Sequence, residues 1–196
     1  MVCGIDEAGR GALLGPIVAG AVILPANKIF KDFNDSKRLK SKEREDLYSL
    51  ICKKAVCWGT GIVDVKIINR YGIQSATYLA YHMAIKSLKV APDHLLIDHY
   101  RLPGIDISQT PITKGDSISQ SIAAASIVAK VTRDALMARL AKDLKGYGLD
   151  RNFGYGTQRH IEAIVRSGPT NHHRQKFIPV DKILQREFNF CKKSKK

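Results

Sequence analysis

The chain has 196 residues, 44% of them hydrophobic, which suits one globular domain with room for a small appendage. No run approaches the roughly 20 apolar residues of a membrane span, and the opening MVCGIDEAGR lacks the basic-then-apolar order of a secretion signal, so a cytoplasmic protein without membrane contact is expected. Thirty-two Lys and Arg against 18 Asp and Glu give a net charge of +14, an excess that favours polyanions because each neutralised phosphate releases counterions.

In chain order, Met1 to Ile5 reads as a short strand ending at Asp6 and Glu7, followed by a glycine-rich turn from Ala8 to Gly15. Ile17 to Leu24 is a second strand. Lys40 to Lys54 carries Leu47, Leu50 and Ile51 at helical spacing, with Ser41 as its N-cap. Ala55 to Val63 alternates as a third strand, and Ile73 to Lys89 is an amphipathic helix. His94 to Asp98 is a short buried strand, with Pro111 to Thr113 a candidate for one more. Ser117 to Lys145 is the longest helical pattern, capped by Asp116 or Ser117 and striped by Ile122, Ala125, Ala129, Leu136, Leu140 and Leu144. Thr157 to Arg166 forms a further helix stopped by Gly168-Pro169, and Val180 to Phe190 is the last ordered element.

Three antiparallel strands, then helices interleaved with short strands, predict an α/β fold with a mixed sheet and helices on its faces. Residues 1–179 form the expected body, and residues 180–196 a helical extension ending in the basic tail Lys192, Lys193, Lys195 and Lys196. Cys3, Cys52, Cys57 and Cys191 show neither a CxxC pair nor zinc-ligand spacing, which predicts free thiols.

Carboxylates stand where elements begin or end: Asp6 and Glu7 after the first strand, Asp98 after HLLID, and Asp116 before the long helix. Acids at strand ends in a cationic chain suggest oxygen ligands for Mg²⁺ or Mn²⁺, since a cation offsets the repulsion of like charges in one crevice. Taken singly, Asp116 reads better as a helix cap than as a ligand, and Asp98 also fits a solvated loop acid. Asp6 and Glu7 pose a geometric problem, because neighbours on a regular strand point to opposite faces.

The stretch from Gly9 to Gly15 has the outline of a dinucleotide fingerprint. Two carboxylates immediately before it would repel a pyrophosphate, and Pro16 with a β-branched strand follows where a helix is required. Close approach to a nucleic-acid backbone is the better use of Gly9 and Gly11, with Arg10 beside them.

GIDEAGRGALLGPIVAGAVIL resembles the opening of the ribonuclease HII family, also called type 2 ribonuclease H. The resemblance continues through DSKRLKSKER, INRYGIQSAT, LLID, KGDSISQSIAAASIVAKVTRD, GYGTQRH and GPTNHHRQKF, in order and over nearly the whole chain. It implies a ribonuclease H-like sheet with helices on both faces and a four-acid metal site of Asp6, Glu7, Asp98 and Asp116. It implies that Gly9, Arg10 and Gly11 contact the backbone around the ribonucleotide and sense its 2′-hydroxyl, that Tyr155 packs on the sugar across the junction, and that Ser36 and Lys37 touch the backbone further out. The substrates implied are RNA–DNA hybrids and DNA containing ribonucleotides, cut by a two-metal mechanism that leaves 5′-phosphate and 3′-hydroxyl ends. A monomer is implied, with the Lys-rich tail open to a replication or repair protein. His99 after the third acid, Lys176 in the last block, and Leu144-Lys145-Gly146-Tyr147 before GYGT depart from the family pattern. A ribonuclease HIII-like nuclease, usually with an extra N-terminal domain for which Asp6 leaves no room, and a non-catalytic nucleic-acid-binding module are the alternatives.

Overall fold

The computed structural model describes residues 1–30 and 40–185. Strands β1 (Val2–Ala8), β2 (Ile17–Ile23) and β3 (Cys57–Val63) form an antiparallel meander. Strand β4 (His94–Asp98) lies parallel to β1, and β5 (Ser108–Ile112) parallel to β4, giving one sheet in the order β3-β2-β1-β4-β5. The helices are α1 (Ser41–Lys54), α2 (Val65–Tyr71), α3 (Ile73–Lys86), α4 (Gln120–Asp143), the single turn α5 (Leu149–Asn152) and α6 (Gln158–Ser167), and residues 180–185 are helical.

Helices cover both faces. On one, α4 lies directly on β1 and β2, because the strands offer glycine where the helix crosses. A Cβ on Gly4 would stand 2.0 Å from the Ser121 carbonyl carbon, and one on Gly20 would stand 2.3 Å from the Ala125 carbonyl oxygen. The small residues Ala123 to Ser126 complete the close approach, and Leu47 and Ile51 of α1 pack on the outer side of α4. On the other face, Tyr81, Ala80 and Ala84 of α3 cover Cys3, Ile5, Leu95 and Ile97. Each large aliphatic buried there contributes roughly 2 kcal/mol over leaving it in water. A third apolar cluster joins Leu13 and Leu14 of the glycine-rich turn to Met137, Tyr147, Ile164 and Val180.

The mixed sheet with helices on both faces agrees with the sequence reading, and several boundaries differ. β1 does not stop at Asp6; it runs on to Ala8, because β2 supplies partners at Asp6↔Gly20, Glu7↔Ala19 and Ala8↔Val18. The cap of α1 is Lys40 rather than Ser41, with the Lys40 N–H satisfied by the Glu43 carboxylate at 2.8 Å. α3 ends at Lys86, not Lys89. Helix α2 has its signal in Asp64, whose carboxylate accepts the Ile67 N–H at 3.1 Å. The fifth strand is Ser108–Ile112 rather than residues 111–113; it sits at the sheet edge, where Pro111 and polar residues are tolerated. The long helix opens at Gln120 after Ser119, so neither Asp116 nor Ser117 caps it; both lie in a 3₁₀ turn, Gly115–Ser117, ahead of it. Cys3, Cys52 and Cys57 are free. Cys191, the Lys-rich tail and residues 186–190 of the last expected helix lie outside the described residues.

Candidate active site

The parallel pairing of β1 with β4 matches Ile5 to Ile97, so Asp6 and Asp98 emerge as neighbours at the same end of adjacent strands. Ile5 and Ile97 face α3, which turns the next residue of each strand to the α4 face. Glu7 alternates back toward α3, where Tyr81 donates its hydroxyl to the Glu7 carboxylate. Despite their opposite faces, Asp6, Glu7 and Asp98 all line one crevice of about 460 Å³ at the strand ends, with Gly9, Arg10, Gly11, Arg44, Ser126, Lys130 and Tyr155 completing its walls.

Each acid is held. The Glu7 N–H donates to Asp6 Oδ1 at 2.7 Å, and the Gly115 N–H donates to Asp98 Oδ1 at 2.7 Å. Asp6 is 5% exposed. Burial, and then the charge of Glu7, push its carboxyl well above the usual carboxylate range, with Asp98 adding to the effect and a hydrogen bond from Ser126 opposing it. Asp116 does not line the crevice. It is 3% exposed, in the turn whose first residue holds Asp98.

Among the described residues, no three His, Cys, Asp or Glu side chains already stand as a closed ligand set. The residues nonetheless fit a hard divalent cation: oxygen donors from three carboxylates face one crevice, and their mutual repulsion is the charge a cation would offset.

The opposite wall is basic and aromatic. Lys130 pairs with Asp134 at 2.7 Å and lies 5.5 Å from the Tyr155 ring centroid, and the Arg133 guanidinium lies 5.2 Å from the same ring. Arg10 donates to Gln74 Oε1, and its guanidinium stands 4.9 Å from the Tyr100 ring centroid. His99 adopts φ 66° and meets Tyr100 edge-on at 4.3 Å, so this departure from the family pattern supports the residue beneath Arg10.

The glycines of the turn divide. Gly9 has φ +90°, and a Cβ there would stand 2.0 Å from Arg133 Nε, so glycine is required by the protein's own packing. Gly11 is exposed and has nothing within 4 Å of its would-be Cβ, leaving it open to a ligand. Ser36 and Lys37 lie outside the described residues. Sequence reading missed Tyr81, Ser126, Lys130 and Arg133. The signal for Arg133 was its place in the stripe Ile122, Ser126, Ala129, Met137, where a charged residue is out of character.

A mixed five-stranded sheet flanked by helices, with acids at the ends of its central strands, defines a ribonuclease H-like α/β protein. Residues 3–180 match the family described as Ribonuclease HII. The ribonuclease HII of Bacillus velezensis is 49% identical over 180 residues, covering 92% of this chain and 70% of that protein. That of Clostridioides difficile is 49% identical over 175 residues, covering 89% of this chain and 69% of that protein. Among solved structures, ribonuclease H2 of Pyrococcus horikoshii superposes with a TM-score of 0.78 at 24% identity, covering 94% of this chain and 97% of that one. The chain belongs to the ribonuclease HII family, metal-dependent endoribonucleases that hydrolyse the RNA of RNA–DNA hybrids.

Proposed function

We propose that Asp6, Glu7 and Asp98 at this crevice, with Asp116 beside it in the turn that holds Asp98, carry the hydrolysis, and that the substrates include single ribonucleotides embedded in duplex DNA. The observation that carries the reading is the convergence of Asp6, Glu7 and Asp98 on one crevice whose other wall presents Arg10, Gly11, Lys130 and Tyr155. Two Mg²⁺ or Mn²⁺ ions bound there would supply an activated water and stabilise charge on the leaving 3′-oxygen, giving 5′-phosphate and 3′-hydroxyl ends. The protein's part is to hold the acids in register and seat the strand. Gly9, Arg10 and Gly11 approach the backbone at the ribonucleotide, where the 2′-hydroxyl separates RNA from DNA. Tyr155 packs on the neighbouring sugar, and Ser36 and Lys37 extend the backbone contacts.

Residues 1–179 act as the catalytic body, and residues 180–196 as an extension reaching a replication or repair protein. A solved complex of ribonuclease HII with PCNA from Archaeoglobus fulgidus, matched at a TM-score of 0.75 and 24% identity, supports that partner class. The enzyme acts in the cytoplasm as a monomer. Among the described residues no helix is long and apolar enough to cross a membrane.

The test is cleavage of a labelled duplex containing one ribonucleotide, with and without EDTA, by the full chain and by Asp6→Asn and Asp98→Asn. Both variants are expected to bind the duplex and leave it uncut, and EDTA to silence the unaltered chain. Cutting at the unaltered rate by either variant would overturn the assignment.

A further inference from the structure

Tyr81 is among the largest fully buried side chains of the described residues, at 0% exposure in the apolar layer between α3 and the sheet. A phenol buried among aliphatic side chains is costly unless its hydroxyl is satisfied. Here the hydroxyl donates to the carboxylate of Glu7, 74 residues earlier in the chain. The contact answers the geometric problem of the adjacent acids. Asp6 is reached by Ser126 from the α4 side, and Glu7 points the other way, toward α3. A long, flexible side chain leaving the sheet on that face has many rotamers, and few of them bring its carboxylate to the crevice that Asp6 and Asp98 share.

We propose that Tyr81 is a positioning residue for Glu7, its hydroxyl fixing the Glu7 carboxylate at the crevice and so strengthening the hold on a divalent cation. The proposal rests on the reading of Glu7 as a metal ligand. Groups that orient a ligand from behind are worth about 10–100-fold in metal affinity. Tyr81→Phe keeps the ring that fills the α3 layer and removes only the donor.

The test measures Mn²⁺ binding by titration calorimetry, and kcat and KM on an RNA–DNA hybrid, for the full chain, Tyr81→Phe, Glu7→Gln and the double variant. Tyr81→Phe is expected to bind Mn²⁺ about 10-fold more weakly. Its kcat should fall at limiting metal and recover at saturating metal, with KM for the hybrid unchanged. In the Glu7→Gln background the same change should add nothing. Mn²⁺ affinity within twofold of the unaltered chain in Tyr81→Phe, alongside an inactive Glu7→Gln, would overturn this proposal and leave the site assignment standing. Unaltered binding and cleavage by Glu7→Gln would overturn both.

A second measurement uses the unaltered sequence, labelled with ¹³C at tyrosine Cζ. One resonance, identified by its displacement in Glu7→Gln, should move on titration with Mg²⁺. A spectrum in which no tyrosine Cζ responds would overturn the proposal even if Tyr81→Phe fails to fold.

Discussion

Arg133 and Arg174, both 0% exposed, share the Pro16 carbonyl as an acceptor, at 3.0 Å from Arg133 Nε and 3.2 Å from Arg174 Nη2. Arg133 also binds the Leu14 and Phe153 carbonyls at 3.1 and 2.9 Å, and Arg174 the Gly15 and Arg10 carbonyls at 3.0 and 2.9 Å. Apart from the Phe153 carbonyl, the acceptors of these two like charges lie in or next to the turn that carries Arg10 and Gly11. Burial, and then repulsion by Arg133, push the Arg174 guanidinium down to about 9, which leaves it charged at neutral pH.

Replacing Arg174 by Met would leave several buried carbonyls without donors, at about 1–3 kcal/mol each. The expected loss is on the order of 3 kcal/mol or more in urea unfolding. Arg174→Lys should rescue little of it, because an ammonium cannot reproduce the fork. A loss under 1 kcal/mol would show that the turn holds its shape without the guanidinium.

Gly9 and Gly11 should separate stability from activity. Gly9→Ala meets Arg133 and a φ of +90°, so unfolding free energy should fall by about 2 kcal/mol or more. Gly11→Ala has open space around it and should unfold like the unaltered protein, while cutting the hybrid more slowly. Equal melting temperatures for the two variants would contradict the division.

Arg10 is steadied by Gln74 from α3 and by the Tyr100 ring after β4. Gln74→Ala removes one of the two restraints. KM for the hybrid should rise about 5-fold, the equivalent of one ordinary hydrogen bond, with kcat little altered. An unchanged KM would place the work of orienting Arg10 on Tyr100 alone.

His173 predicts an acid-sensitive stability. Burial, and then repulsion by His160, lower its pKa from an ordinary 6.5 to about 4. The folded state thus favours the neutral ring, and between these values the unfolded chain binds more protons. The contribution is fully present above about pH 6.5 and is lost as pH falls toward 4, amounting to roughly 3 kcal/mol. His173→Asn keeps an acceptor for the Thr170 N–H and does not titrate there. The stability difference between the two proteins should therefore change across that window and be flat above it.

The parts of the fold carried by local pattern were legible in the sequence: β1 to β3, β4, and the bodies of α1, α3, α4 and α6 follow from periodicity and punctuation. β5 was displaced because an edge strand with one partner needs no apolar alternation to mark it. Asp116 looked like a helix cap because a 3₁₀ turn and a helix start present the same polar residues. In the site, Asp6 and Asp98 could be read as strand-end acids, yet nothing local says that Ile5 pairs with Ile97 and so makes them neighbours. Glu7 was the harder case, since its orientation depends on a tyrosine from a helix far along the chain. Arg133 was legible as a charge on a stripe that otherwise reads as core, but its acceptors, the Leu14, Pro16 and Phe153 carbonyls, lie far from it in the chain.

The four-pair ladder joining β1 to β4 also decides where this enzyme would accept new sequence. A peptide inserted into the exposed linker around Lys89 and Ala91 lengthens a tether and leaves the ladder in step. A single residue deleted within β4 would turn every later side chain to the opposite face and carry Asp98 away from Asp6. Tags, reporters or fused domains therefore belong in the first place, and a frame-preserving deletion scan should show activity vanishing abruptly at His94 and surviving just before it.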